Sequence, residues 1–421
     1  MDFKMIFKNI SILMTGTVIS QLIPIAMSPI LTRIYTPAEL GVVAVFTSLA
    51  SFFAIFANLR LDVGIMSAKN KKEKLILRNL SVIVTALITL LVCFLLIVFA
   101  DLFKAMFKGI NYNLILIFIP LFVMLFGILQ LLTYMANSKG YYKVISKSKI
   151  DKNLSMVIIQ IILGFSKTGV LGLIIGMVAS FIFPLVRLRK ETVRGNFRMK
   201  FTKLEYQDTL KKYKKFPLIS TATAAMNKFA TESPVLIMNR FVDQSSVGFF
   251  DLARRTILQP LSFISASISQ VYLKQITEEQ DYRKNIKLTI VILAGLTLVS
   301  IFVATIIILW GESIFAIVFG EEWRVVGEYS KILVFPFLIR FIVSPLSVVF
   351  LKPENITLGG VWQFMYLVTS LTVTLIFLPA GFMTYIKAFA ITEICIYLIY
   401  LAMILFALRR DGKRSQALWN S

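Results

Sequence analysis

Residues Asn79–Ala100 read NLSVIVTALITLLVCFLLIVFA, without one charged side chain. An α-helix rises about 1.5 Å per residue, so the run reaches about 33 Å, enough to cross the roughly 30 Å hydrocarbon core of a bilayer. The eight residues before it, KKEKLILR at 71–78, are strongly basic. A long apolar run on a cationic foot is a membrane span with one end held at a headgroup surface.

Outward from this run, apolar stretches and basic breaks alternate along all 421 residues. The chain is 57% hydrophobic with a mean hydropathy of +0.81, above the roughly 45–50% apolar content of soluble domains. Twelve spans are expected, at about 10–32, 38–59, 79–100, 113–136, 144–165, 168–187, 216–239, 245–273, 288–310, 329–351, 357–379 and 383–408. The fifth begins with Ser146, Lys147, Lys149, Asp151 and Lys152, and the seventh and eighth are weakly hydrophobic. Lys4 and Lys8 precede an apolar run that continues to about Leu31. A signal-peptide core is only about 7–15 residues long, so this reads as an uncleaved first helix.

The charge pattern supports these spans. The net charge is +23. With twelve spans, 33 Lys and Arg fall on the side of the termini and 7 on the other. One missed helix would invert every later loop, so the asymmetry places both termini in the cytoplasm of a bacterial inner (plasma) membrane protein. Because these charges lie between apolar runs, they mark topology and not a nucleic-acid surface. The expected fold class is an all-α polytopic membrane protein with twelve transmembrane helices. The expected domains are an N-terminal six-helix lobe (1–187), a basic cytoplasmic linker (188–215) and a C-terminal six-helix lobe (216–421).

The two halves echo each other. Ser28-Pro29-Ile30-Leu31 corresponds to Ser233-Pro234-Val235-Leu236. Arg33, eight residues before Gly41, corresponds to Arg240, eight residues before Gly248. Repeats of six spans share their orientation, the parallel type of transporter repeat.

Several chemistries are excluded or disfavoured. The chain has no histidine, so His-based acid–base catalysis and His metal sites are absent. Cys93 and Cys395 sit far apart inside apolar runs, which leaves no disulfide framework or zinc spacing. No phosphate-cradling Gly-x-x-x-x-Gly-Lys-Ser/Thr segment occurs. The outer loops are short, with little room for an enzyme's extramembrane site. No catalytic residue, metal or cofactor is assigned, and the chain reads as a transporter and not an enzyme.

Polar groups within a bilayer are costly and usually face a cavity or a partner. Span one carries Ser11, Thr15, Gln21, Ser28 and Thr32, with Pro24 and Pro29 to bend it. Span seven carries Ser220, Thr223, Asn227, Lys228, Thr231 and Glu232, and span eight carries Asp251, Arg254, Arg255, Gln259, Ser262 and Ser269. Five deep cations (Lys228, Arg254, Arg255, Arg340 and Lys387) outnumber three deep acids (Glu232, Asp251 and Glu393). Lys228–Glu232 and Asp251–Arg255 are spaced i,i+4 and can pair. With Gln21 and Asn227, the cations form a candidate binding set for an anionic head group, since Arg and Lys favour phosphate oxygens. The three acids are candidates for H+ or Na+ coupling. Arg33 and Arg240 at equivalent span ends, and Arg60 with Asp62 at the end of span two, are candidate gate or interface residues.

The stretch Ile19-Ser-Gln-Leu-Ile-Pro-Ile-Ala-Met-Ser-Pro-Ile-Leu-Thr-Arg-Ile-Tyr-Thr-Pro-Ala-Glu-Leu-Gly41 resembles the opening of O-antigen flippases of the Wzx type. These belong to the multidrug/oligosaccharidyl-lipid/polysaccharide exporter superfamily. Ser233-Pro234 and Val247-Gly248-Phe249-Phe250 are similar to their repeat. The resemblance implies two six-helix lobes around a V-shaped cavity, with helices one, two, seven and eight lining it. It implies transport by alternating access of an undecaprenyl-pyrophosphate-linked oligosaccharide, an O-antigen or related repeat unit, from the cytoplasmic to the periplasmic leaflet. Membrane lipid, a polysaccharide polymerase and a chain-length regulator are the implied partners. A multidrug or cation antiporter of the same superfamily, a membrane enzyme of polysaccharide assembly, and a flippase for peptidoglycan precursor remain alternatives.

Overall fold

A computed structural model of the chain describes residues 3–68, 70–107, 112–192, 201–278, 282–351 and 355–419. Lys69, Lys108, Arg194, Arg198, Lys200 and Lys352, counted above among the loop cations, lie outside the described residues. Within them every regular element is helical. The first part of the chain forms α1 (Phe3–Ile34), α2 (Pro37–Ala54), α3 (Leu61–Ser67), α4 (Lys71–Val98), α5 (Ala100–Met106), α6 (Tyr112–Ser138), α7 (Tyr142–Phe165), α8 (Val170–Ala179), α9 (Ile182–Thr192), α10 (Lys203–Tyr213) and α11 (Thr221–Phe241). The remainder forms α12 (Gln244–Glu278), α13 (Tyr282–Phe319), α14 (Arg324–Val343), α15 (Ile356–Phe377) and α16 (Phe382–Trp419).

Nine segments among the described residues are long and apolar enough to cross a membrane. Three further long helices, α7, α11 and α12, fall short of that apolarity. Each carries its own charges: Lys147, Lys149, Asp151 and Lys152 in α7, Lys228 and Glu232 in α11, and Asp251, Arg254 and Arg255 in α12. These are the three spans whose sequence is least hydrophobic. Together the long segments are compatible with the twelve expected spans.

Contacts divide the chain into two compact units, residues 1–240 and 241–421. The first unit takes in nearly all of α11. Its side chains pack with the first unit: the rings of Phe229 and Phe52 of α2 lie 5.5 Å apart, and Ser48 Oγ donates to Glu232 Oε2 at 2.7 Å. Within the first unit α1 packs along α7, and α4 along α6. Within the second, α14 packs against α12, α13 and α16.

The repeat seen in the sequence recurs as local structure. Arg33 and Arg240 each stand exposed in the last turn of a helix, where a cation complements the helix dipole. Three residues later a cap starts the next helix. Thr36 Oγ1 accepts from Glu39 N, closing a capping box, and Asp243 Oδ2 accepts from Ser246 N at 3.0 Å. Gly41 and Gly248 then fall at buried positions.

The basic linker is partly ordered as α10, which begins with a second capping box, Thr202 with Glu205. It is tied to the foot of α4 by an ion pair from Lys72 to Glu205 and by Lys212 Nζ to Glu73 Oε1 at 2.5 Å. Tyr213 OH also donates to Glu73 Oε2, at 2.7 Å. Burial, and then the bond to Glu73, pushes the Tyr213 phenol up to about 12. Lys72 holds the Glu205 carboxyl below its ordinary value of 4.5. A carboxyl depressed in the folded state stabilises it above the unfolded pKa, and the contribution is lost as pH falls through the folded value. Spin labels on α4 and α10 are therefore expected to keep a narrow distance distribution from pH 7 to 5 and to broaden below about pH 4.5. Lys72→Gln should broaden it at neutral pH. A distribution unchanged down to pH 3 would contradict this anchoring.

Candidate functional site

In the first unit Glu232 is the hub. It is 9% exposed, and both its oxygens are used: Oε1 accepts from Lys228 Nζ at 2.8 Å and Oε2 from Ser48 Oγ. A carboxylate survives at such a position only when paired and hydrogen-bonded. The i,i+4 spacing of Lys228 and Glu232 is therefore realised as an ion pair, and it is neutral overall. Asn227 and Gln21 are exposed on α11 and α1.

The chain breaks between α2 and α3, where Leu59 and Arg60 take φ values of 44° and 57°. Bulky residues seldom occupy the left-handed region, so this turn is held by its surroundings. Arg60 Nε donates to Ser220 Oγ at 3.4 Å, which joins the break to the π-helical turn Phe216–Ser220 that leads into α11. Asp62, 3% exposed, lies in the first turn of α3. Arg60 and Asp62 thus stand together at the end of span two.

Lys149 and Lys152, at the start of the expected fifth span, both lie inside α7. Lys149 Nζ donates to Thr17 Oγ1 of α1 at 2.9 Å, and Asn153 Nδ2 donates to the Ser20 carbonyl at 2.6 Å. Lys152 Nζ stands 4.7 Å from the ring centroid of Phe181. These residues share a face by their i,i+3 and i,i+4 spacing, the one sequence signal that singles them out. Arg187 of α9 forms an ion pair with Asp151 of α7.

In the second unit Asp251 is the hub. It is 5% exposed and holds two guanidinium groups: Arg254 Nη2 at 3.0 Å from Oδ1 and Arg255 Nε at 2.6 Å from Oδ2. Two guanidiniums therefore share one carboxylate. The sequence points to the i,i+4 partner. The i,i+3 partner, Arg254, shares the same acid.

Arg340 and Glu393 come together from α14 and α16. Glu393 is 4% exposed and bonded to the Tyr366 phenol, with the charge of Arg340 acting on it. The Arg340 guanidinium lies 6.0 Å from the Tyr397 ring centroid, at the limit of a cation–π contact. Behind it Trp362 stacks on Tyr400 at 3.7 Å and on Tyr366 at 5.2 Å. This aromatic cluster draws on α15 and α16 and has no local sequence signal. Lys387 is exposed near the start of α16 and is not brought to Glu393. Among the described residues no group of three or more His, Cys, Asp or Glu is placed to hold a metal.

An all-helical chain of long apolar segments with paired charges within them is a multi-pass membrane protein, and its backbone has the fold of the MOP-superfamily transporters. The solved structures it is similar to include the lipid II flippase MurJ in an inward closed conformation, at a TM-score of 0.73 and 16% identity over 96% of this chain and 90% of that one. An inward-facing multidrug resistance MATE family transporter gives 0.61 and 13% over 95% and 94%. A MOP superfamily transporter from Pyrococcus furiosus gives 0.56 and 12% over 98% and 97%. The family model described as polysaccharide biosynthesis protein matches residues 30–328, and the chain belongs to that family. No curated protein sequence matches it.

Proposed function

We propose that this protein is a flippase that moves an undecaprenyl-pyrophosphate-linked oligosaccharide, an O-antigen or related repeat unit, from the cytoplasmic to the periplasmic leaflet of the inner membrane. The observation that carries the reading is that two guanidiniums, Arg254 and Arg255, share the one carboxylate of Asp251. Arg255 keeps 43% of its side-chain surface accessible, so a guanidinium already oriented by its acid can still bind a phosphate oxygen bidentately. The polysaccharide biosynthesis family supports a glycan substrate. The likeness in fold to the lipid II flippase MurJ supports a lipid-linked one.

In this proposal the six-helix lobes 1–187 and 216–421 move by alternating access, with residues 188–215 as their cytoplasmic linker and both termini cytoplasmic. Lys228, Arg254, Arg255, Arg340 and Lys387, with Gln21 and Asn227, supply polar contacts for the head group. Glu232, Asp251 and Glu393 are the carboxylates for H+ or Na+ coupling, and Arg33, Arg60, Asp62 and Arg240 serve at gates or interfaces. A polysaccharide polymerase and a chain-length regulator act downstream. No covalent step is involved.

The test is the sidedness of lipid-linked oligosaccharide in cells with and without the protein. Accumulation in the cytoplasmic leaflet on deletion, reversed by the intact gene, is the expected result. Arg254→Ala and Lys228→Ala should each lower export by about tenfold, the loss of one charge-assisted hydrogen bond of roughly 1.5 kcal/mol. Unchanged export in both would remove the cationic site. Normal sidedness on deletion, with no second flippase present, would favour the antiporter reading, to which the buried acids Glu232, Asp251 and Glu393 also lend themselves.

A further inference from the structure

The first unit carries a groove outside the proposed transport site. It has a volume of about 580 Å³ and runs between α4, α6, α9 and α10. Its floor is apolar and buried, formed by Leu131, Leu132 and Met135 of α6, and its rim is the half-exposed Val82 and Ile83 of α4. Its other end is polar. Arg78 donates from Nε and Nη2 to Asn79 Oδ1 at 3.1 and 2.8 Å, and Asn79 Nδ2 donates to the Tyr206 phenol at 3.0 Å. The phenol accepts in that bond, so its own proton remains to be donated. Arg189 lines the same end, is exposed, and forms no ion pair among the described residues.

The position matches the polarity. Arg78 and Arg189 sit at the basic ends of α4 and α9, where apolar helix meets charged loop. α10 closes this end as a strap, fixed to α4 by the Glu73 and Glu205 contacts. It turns Leu204, 69% exposed, and Leu210, 41% exposed, outward among Lys203, Lys211 and Lys212. A short helix with exposed leucines between lysines lies in the plane of a membrane interface. An occupant must therefore present an anion to two guanidiniums and a phenol, and lay hydrocarbon against leucine, methionine and valine.

We infer that this groove binds an anionic glycerophospholipid of the adjoining leaflet, with the phosphate on Arg78, Arg189 and Tyr206 and an acyl chain along Val82, Ile83 and the α6 floor. The bound lipid holds α10, and through it the basic linker, at the membrane surface.

The test uses full-length protein in phosphatidylcholine vesicles containing a trace of phosphatidylglycerol with a photoactivatable acyl chain. Label is expected on peptides containing Val82–Ile83 and Ile128–Met135, competed by unlabelled phosphatidylglycerol and not by further phosphatidylcholine. Arg189→Gln should lower that label by about fivefold, the factor one cation contributes at an anionic surface. Lys190→Gln, one residue along on the same exposed helix, should change it less than about twofold. Equal competition by phosphatidylcholine, or an equal fall with Lys190→Gln, would overturn the site in favour of unspecific lipid contact. Displacement by undecaprenyl phosphate at a far lower mole fraction than phosphatidylglycerol would assign the groove to substrate. Displacement by inorganic phosphate alone would show that no acyl chain is held. Either result would overturn the inference.

Discussion

Replacing Asp251 with asparagine is expected to lower the stability of the purified protein by about 3 kcal/mol and to abolish export. The side chain of Asp251 is 8% accessible and is ion-paired with both Arg254 and Arg255. Removing one partner of a buried ion pair costs about 3–5 kcal/mol, because the remaining charge stays desolvated. Arg255 can turn partly to water, which puts the expected value at the low end of that range. The amide keeps the shape of the carboxylate, so the loss reports charge and not volume. Thermal unfolding in detergent reads the stability, and leaflet sidedness reads transport. Removing the stranded charges as well, in Asp251→Asn with Arg254→Gln and Arg255→Gln, should recover much of the stability while export stays lost. A triple variant as unstable as the single one would mean that packing, and not charge, governs this site.

The second large effect is expected at Gly327. A Cβ added there would stand 2.4 Å from both the Cα and the N of Glu312, and 2.6 Å from the carbonyl carbon of Gly311. These are backbone atoms of α13, so no rotamer change relieves the clash. Small residues let two membrane helices approach backbone to backbone, and α13 against α14 is the most extensive helix contact of the second unit. Gly327→Val must push the helices apart, which also stretches the 2.5 Å ion pair of Lys331 to Glu312. A loss of at least about 3 kcal/mol is expected, the upper part of the range for overpacking. It would be seen as a fall in monodisperse protein and in melting temperature. Gly295→Ala on α13 is the control. Nothing lies within 4 Å of its added Cβ, so it should be neutral or gain up to about 1 kcal/mol from helix propensity. A Gly327→Val protein that melts like the parent would rule out the close crossing.

Both effects rest on features with different visibility in the sequence. The pairs Lys228–Glu232 and Asp251–Arg255 are readable because a helix sets i beside i+4, and both form. Ser48 on Glu232 and Arg340 beside Glu393 join residues far apart in the chain, and no period announces them. The low apolarity of α7, α11 and α12 is visible in their composition, while its meaning is not. In α7 Lys149 reaches Thr17 of α1 and Lys152 an aromatic ring, contacts that the composition of the span does not announce.

By itself the sequence determined the class of the protein, since only a helix satisfies its own backbone in hydrocarbon and each apolar run has the length to cross it. The caps at Thr36 and Asp243 are likewise local, each formed with the residue three positions on. The tertiary structure alone decided which charges are neutralised, that α11 packs with the first unit, and that Gly327 faces backbone. Those depend on distances between segments that the order of residues along one helix does not contain.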